Sequence, residues 1–151
     1  MNLLVDTNII VDVLRKRAYD YKASRLLLAL GSLHEFELWM SPSQLSDLFY
    51  ILTAGGKKHL AEPVAEELSD VLSFVRVCTF GHEEALAALF CGTDDLEGAL
   101  VYQAARAVKA EAIITRNQKD FEGSSIPARS SAEFFGWLAD EKGVCYAEVE
   151  L

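Results

Sequence analysis

Acidic residues recur in this chain just beyond short apolar runs, and that placement decides which chemistry is open to it. Asp6 follows Leu3-Leu4-Val5, and Asp47 lies in the first turns of a segment that comes after the apolar stretch 36–40. Asp94, Asp95 and Glu97 open an alanine-rich segment, and Asp120 comes shortly after Ala112-Ile113-Ile114-Thr115. Two unit charges about 4 Å apart repel by about 1 kcal/mol in water and about 4 kcal/mol at an effective dielectric of 20. Gathering several carboxylates is therefore costly unless a cation joins them, and an all-oxygen ligand set suits Mg²⁺ or Mn²⁺. Such ions hold a phosphodiester, generate hydroxide from bound water and stabilise a leaving oxygen.

Each acid also has a plain structural reading. Asp6 or Thr7 can cap the helix that follows. Asp94 with Glu97 forms an Asp-x-x-Glu capping box, which is the preferred reading for those two residues. Asp47 sits opposite the Leu45/Leu48/Phe49/Leu52 stripe, so periodicity alone makes it a solvated residue. Asp120 could be an ordinary loop acid. The functional reading gains from the joint pattern, not from any single member.

The elements that must position these acids follow from the spacing of apolar residues. Strands are expected at Leu3-Leu4-Val5 and over 36–40, 75–80 and 112–115. Helices are expected after Asp6, over about 19–30 with a stop at Gly31, from Ser41 to Gly55-Gly56, over 60–74 and 82–90, from Thr93 to Lys109, and through Trp137. Ser41-Pro42-Ser43-Gln44 joins Ser at the N-cap, Pro at the first helical position and Gln two residues later, a strong start signal. Ser130-x-x-Glu133 is a further capping box. Strands alternating with helices argue for a parallel sheet in an α/β domain. In such sheets ligands bind outside the carboxyl ends of the strands, where Asp6 stands. Cys145, Ala147, Val149 and Leu151 alternate with Tyr146, Glu148 and Glu150, which predicts an added edge strand or an exchanged arm.

Composition narrows the classes. The 151 residues suit one domain, and 51% hydrophobic content fills a core and argues against disorder. No apolar run is long enough for a membrane span, and the N-terminus lacks a basic then apolar leader, so a cytoplasmic protein is expected. Cys78, Cys91 and Cys145 sit in apolar contexts and read as buried reduced thiols, neither a disulfide frame nor a zinc site. His34, His59 and His82 have no metal-ligand spacing, and Gly56-Lys57 lacks the surroundings of a phosphate loop. The net charge of −9 works against non-specific nucleic-acid binding, so a nucleic-acid substrate needs a local basic patch or bridging metal ions.

With these residues in view, the chain resembles the PIN-domain family, which includes the VapC-type toxins. The resemblance is carried by residues 4–10, by residues 41–52, by Asp95-Leu96-Glu97-Gly98-Ala99-Leu100, and by Thr115-Arg116-Asn117-Gln118-Lys119-Asp120-Phe121 after an apolar strand. It implies an α/β fold, a three-layer α/β/α sandwich with a central parallel sheet, spanning residues 1–140 and followed by an extension over 141–151. It also implies divalent-metal-dependent cleavage of RNA and an antitoxin partner. The expected assembly is a homodimer with no membrane association.

Carried over position by position, Asp6 matches the family's first acid. Asp47 stands where a glutamate is usual. The third acid normally falls in a Glu-Asp-Ala step, which here reads Glu97-Gly98-Ala99. Asp94 and Asp95 lie four and three residues before Gly98, within one helical turn, so either could point a carboxylate into the same space. The expected metal ligands are therefore Asp6, Asp47, Asp94 and Asp95, with Asp120 completing the catalytic set. Thr7, Asn8, Arg116 and Asn117 are the expected substrate-positioning residues, and Mg²⁺ or Mn²⁺ is the expected cofactor. The alternative is a binding or regulatory module of the same fold, impaired by Gly98. Aspartyl phosphotransfer ranks below both, because the second Asp it wants two residues after Asp6 is Asn8.

Overall fold

A computed structural model of the chain describes residues 1–17, 19–92 and 94–146. Five strands form one parallel sheet: β1 (Asn2–Val5), β2 (Glu37–Met40), β3 (Val75–Val77), β4 (Ala112–Ile114) and β5 (Ala128–Arg129), in the order β3-β2-β1-β4-β5. The helices are α1 (Thr7–Leu14), α2 (Tyr21–Ser32), α3 (Pro42–Leu52), α4 (Ala61–Leu72), α5 (His82–Leu89), α6 (Leu96–Ala107) and α7 (Ser131–Lys142).

Side chains alternate across a strand, so each strand feeds two cores. Leu3 and Val5 join Leu38, Met40, Ala112 and Ile114 in the larger core, beneath α1, α2, α3, α4 and α7. Leu4 and Ile113 face the other way, onto Val101, Ala104 and Ala105 of α6. Small side chains let α6 lie close on the sheet, as its alanine content predicts. The three-layer α/β/α sandwich is the observed architecture.

Sheet order places β1 between β2 and β4, so the chain leaves β1 to one side and later returns on the other. A crevice opens at such a switch point, beyond the carboxyl ends of the strands. Asp6 enters it directly from β1, its backbone N–H donating to the Ile114 carbonyl at 2.9 Å. The loop after β4 enters from the neighbouring strand.

Several expectations change in detail. Gly31 does not stop α2, which runs to Ser32. It is buried where a Cβ would collide with the Leu38 side chain, so its smallness admits the sheet and its conformational freedom is unused. α3 ends at Leu52, before Gly55-Gly56, because Ala54 already adopts a positive φ of 52°. The third strand is three residues long, with one further ladder bond from the Cys78 N–H to the Met40 carbonyl. Cys78 is buried as expected, whereas Cys91, just past the end of α5, and Cys145, beyond α7, are exposed. β5, two residues long, has too little pattern to be read from sequence. α7 runs to Lys142, two residues past the expected boundary, and ends at Gly143 with φ of 64°. Tyr146 folds back onto Phe36 and Phe135, whereas most of the expected C-terminal strand (147–151) lies outside the described residues.

Candidate active site

Asp6 caps α1 with its own carboxylate: Oδ1 accepts from the Thr7 N–H at 2.7 Å. Oδ2 accepts from the Thr115 hydroxyl at 2.8 Å and from Asn8 Nδ2 at 3.4 Å. Asn8 also donates to Thr115 Oγ1 at 3.3 Å and accepts the Arg116 N–H at 3.2 Å, tying the β4 exit to the start of α1. The Thr115 hydroxyl further accepts the Asn117 N–H at 3.0 Å. The capping reading of Asp6 is thus correct, and it leaves room for the functional one. The cap fixes the carboxylate at the floor of a cleft of about 210 Å³.

That cleft is lined by acids from separate parts of the chain: Asp6, Asp95, Glu97 and Asp120, together with Thr7, Asn8, Gly98 and Asn117. Burial pushes the Asp6 carboxyl above its ordinary value. The Thr115 hydroxyl and the Thr7 amide pull it back, and Asp120 and Asp95 add repulsion. Glu97 is raised as well, first by partial burial of its carboxyl and then by Asp47, with which it shares a hydrogen bond; Asp6 and Asp95 add to this. Five carboxylates from β1, α3, α6 and the β4 exit therefore act on one another.

Gly98 explains how Asp95 enters this group. A Cβ on residue 98 would stand 2.5 Å from Asp95 Oδ2, closer than atoms can approach, and 3.3 Å from Asp95 Cγ. The Asp95 carboxylate lies over the bare face of glycine, in the space a side chain at 98 would claim. Asp95 takes the N-cap position of α6 yet accepts no capping hydrogen bond from that helix.

The expected residues divide accordingly. Asp6, Asp95 and Asp120 share the cleft with Thr7, Asn8 and Asn117. Asp47 is half-buried beside Glu97, not solvated as periodicity alone suggests. Asp94 is exposed and lies outside the cleft lining, so it does not join the others. The Asp94–Glu97 capping box does not form, since α6 begins one residue later and Glu97 turns to Asp47. Arg116 lies outside the lining too, its guanidinium held on Asp12 instead. Glu97, for which the sequence favours a capping role, and Arg17, to which it gives none, both line the cleft. The signal for Glu97 was its place next to Gly98, in the step where the family pattern puts an acid.

Over residues 2–119 the chain matches the PIN domain. The chain belongs to the PIN-domain family. Ribonuclease VapC1 of Aquifex aeolicus (strain VF5) is 25% identical over 137 residues, which cover 87% of this chain and 92% of that protein. Among solved structures, VapBC2 from Rickettsia felis, bound to a DNA fragment from its promoter, aligns with a TM-score of 0.63 and 21% identity. That alignment covers 86% of this chain and 98% of the other. VapBC-1 from nontypeable Haemophilus influenzae aligns with a TM-score of 0.65 and 17% identity, covering 87% and 99%. A toxin-antitoxin complex from Klebsiella pneumoniae gives 0.63 and 20%, covering 85% and 97%. These likenesses establish the PIN fold from β1 through the β4 exit, the part of the chain that builds the cleft.

The donor set can be tested against a divalent cation on its own terms. Every acid around the cleft offers hard oxygen donors, as Mg²⁺ or Mn²⁺ requires. The Thr7 hydroxyl is buried there without a hydrogen-bond partner among the described residues, and a buried polar group normally has one. No three acidic, histidine or cysteine side chains among the described residues are grouped tightly enough to close a metal shell unaided. Mg²⁺ does not need that, because it keeps several waters and is held by one or two carboxylates plus substrate phosphate. The residues fit such an ion.

Proposed function

We propose that the protein is a metal-dependent endoribonuclease of VapC type, the toxin of a toxin-antitoxin pair, hydrolysing RNA phosphodiesters. The observation that carries this is the Asp95 carboxylate over Gly98: the chain lacks an acid at 98 yet keeps one in the space beside it. The named activity of the Aquifex aeolicus relative and the toxin-antitoxin structures of the same fold support the reading.

In this reading Asp6 and Asp95 would hold Mg²⁺ or Mn²⁺ together with water and substrate phosphate, and the Glu97–Asp47 pair and Asp120 complete the acidic ring around it. When bound there, such an ion would supply charge neutralisation at the phosphate and a lowered pKa for the attacking water. The chain's own groups do the rest. The Thr7 and Thr115 hydrogen bonds hold Asp6 in one orientation, and Asn8 locks Thr115 and the Arg116 backbone into the same frame. Asn117 and Asp120 border the cleft where substrate and water enter. Burial is the main cause of the raised carboxyls at Asp6 and Glu97, but neighbouring acids add repulsion at both, and a cation among them would relieve it.

The test is cleavage of single-stranded RNA with Mg²⁺ or Mn²⁺, wild type beside Asp6→Asn. Wild type should cleave and the variant should lose at least about 10²-fold, since even residues that merely orient metal ligands are worth 10–100-fold. Equal rates would remove the assignment. Gly98 itself favours the second reading, a binding or regulatory module of the same fold, and robust cleavage by the wild type disposes of it.

A further inference from the structure

Beside the acids stands a second charged group that the metal reading leaves unused. Asp12, on the largely buried helix α1, has a carboxylate only 2% exposed. Two guanidinium groups converge on it. Arg116 approaches with Nε 2.5 Å from Oδ2 and Nη2 3.3 Å from Oδ1. Arg17 donates from Nε to Oδ1 at 3.2 Å, and its backbone N–H is tied to the Asp12 carbonyl at 2.9 Å.

One guanidinium balances one carboxylate, and Arg116 already pairs with Asp12: its Nη2 donates to Oδ1 and its Nε lies beside Oδ2, which accepts no hydrogen bond among the described residues. Arg17 is therefore surplus to neutralisation: the trio carries a net charge of +1. Arg17 is 56% exposed, and its only ion pair among the described residues goes through Nε. It is also the one cationic side chain among the described residues that line the acidic cleft. An RNA strand entering that cleft meets four acids and this single fixed positive group. A chain of net charge −9 needs such a local exception if it is to hold a polyanion.

The geometry points to Arg17 as a phosphate-binding residue at the mouth of the cleft, with Asp12 as the buried positioning residue that fixes Arg17 and Arg116 together. Arg17 contacts a backbone phosphate next to the scissile one, so its contribution is to binding and is indifferent to base identity. Asp12 acts only through the two arginines. This inference rests on the ribonuclease reading above.

The experiment measures steady-state cleavage of a short single-stranded RNA in Mn²⁺ at several NaCl concentrations, for wild type, Arg17→Gln, Arg17→Lys and Asp12→Asn. Thermal melting alongside checks that each variant is folded. Arg17→Gln should raise KM about tenfold with kcat within about twofold, and flatten the dependence of log(1/KM) on log[salt] by about 0.7, one phosphate contact on a single strand. Arg17→Lys should recover part of the loss and the whole salt slope, because it keeps the charge without the fork. Asp12→Asn should also raise KM, although it removes a negative charge and bulk electrostatics alone would lower it. Cleavage by wild type with unchanged KM and salt slope in Arg17→Gln overturns the clamp and leaves the ribonuclease reading standing. A wild type that neither binds nor cleaves RNA overturns both.

Discussion

At the scale of single residues, the site holds carboxylates in a state that disfavours their charge. Asp6 is raised mainly by burial, and Glu97 by burial and by Asp47. The sign for stability follows from linkage. Both folded values lie above the unfolded ones, near 3.8 for Asp6 and 4.5 for Glu97, so their protonated forms favour the fold. That contribution is fully present below the unfolded values and is lost as pH rises through the folded ones. In chelator, Asp6→Asn and Glu97→Gln should therefore melt higher than wild type at pH 7, by about 2–4 °C for each kcal/mol relieved in a chain of this size. The advantage should vanish near pH 4. Melting curves at the two pH values check it, and a lower melting temperature at pH 7 for both variants would contradict it. A stability gain bought with lost activity is the usual trade at a functional site.

At the scale of elements, α6 begins with a local arrangement that only glycine permits. Gly98→Ala places a Cβ 2.5 Å from Asp95 Oδ2, so the carboxylate must swing away, which costs little at the end of a side chain. Alanine is also about 0.5–1 kcal/mol better than glycine within a helix. The variant should therefore melt at or above wild type while its cleavage rate falls roughly as far as that of Asp95→Asn. Retained activity in a well-folded Gly98→Ala would show that Asp95 need not lie over residue 98. The same element marks how far sequence could be read. Ser41-Pro42-Ser43-Gln44 announced α3 because its signals are local: Ser41 accepts from the Gln44 N–H at 3.3 Å, and Gln44 Oε1 accepts from the Ser41 N–H at 2.8 Å. The acids on strand exits were legible because a parallel sheet gathers such positions at one edge. Glu97 was misread because Asp-x-x-Glu fits a cap equally well, and only the later start of α6 turns it toward Asp47. Asp12 and Arg17 gave no signal, since their meeting with Arg116 spans 104 residues of chain. Gly31 looked like a stop because its reason for being glycine lies on β2.

At the scale of the whole molecule, the charge distribution is the main constraint. An excess of nine negative charges and an acidic cleft oppose binding of any polyanion, and no helix among the described residues is long and apolar enough to cross a membrane. The PIN fold offers a way round this, because its switch point brings separate acids to one place where a cation can reverse the local sign. This chain departs from the family step at 98, and in the proposed site Asp95 makes good the loss. The most direct test is the Mn²⁺-dependent rate of single-stranded RNA cleavage across wild type, Asp95→Asn and the double variant Asp95→Asn/Gly98→Asp. Wild type should cleave, Asp95→Asn should lose at least about 10²-fold, and the double variant should recover substantially, because the Cβ at 98 pushes the uncharged amide at 95 aside and the new carboxylate takes its place. Equal rates in wild type and Asp95→Asn would contradict this role for Asp95.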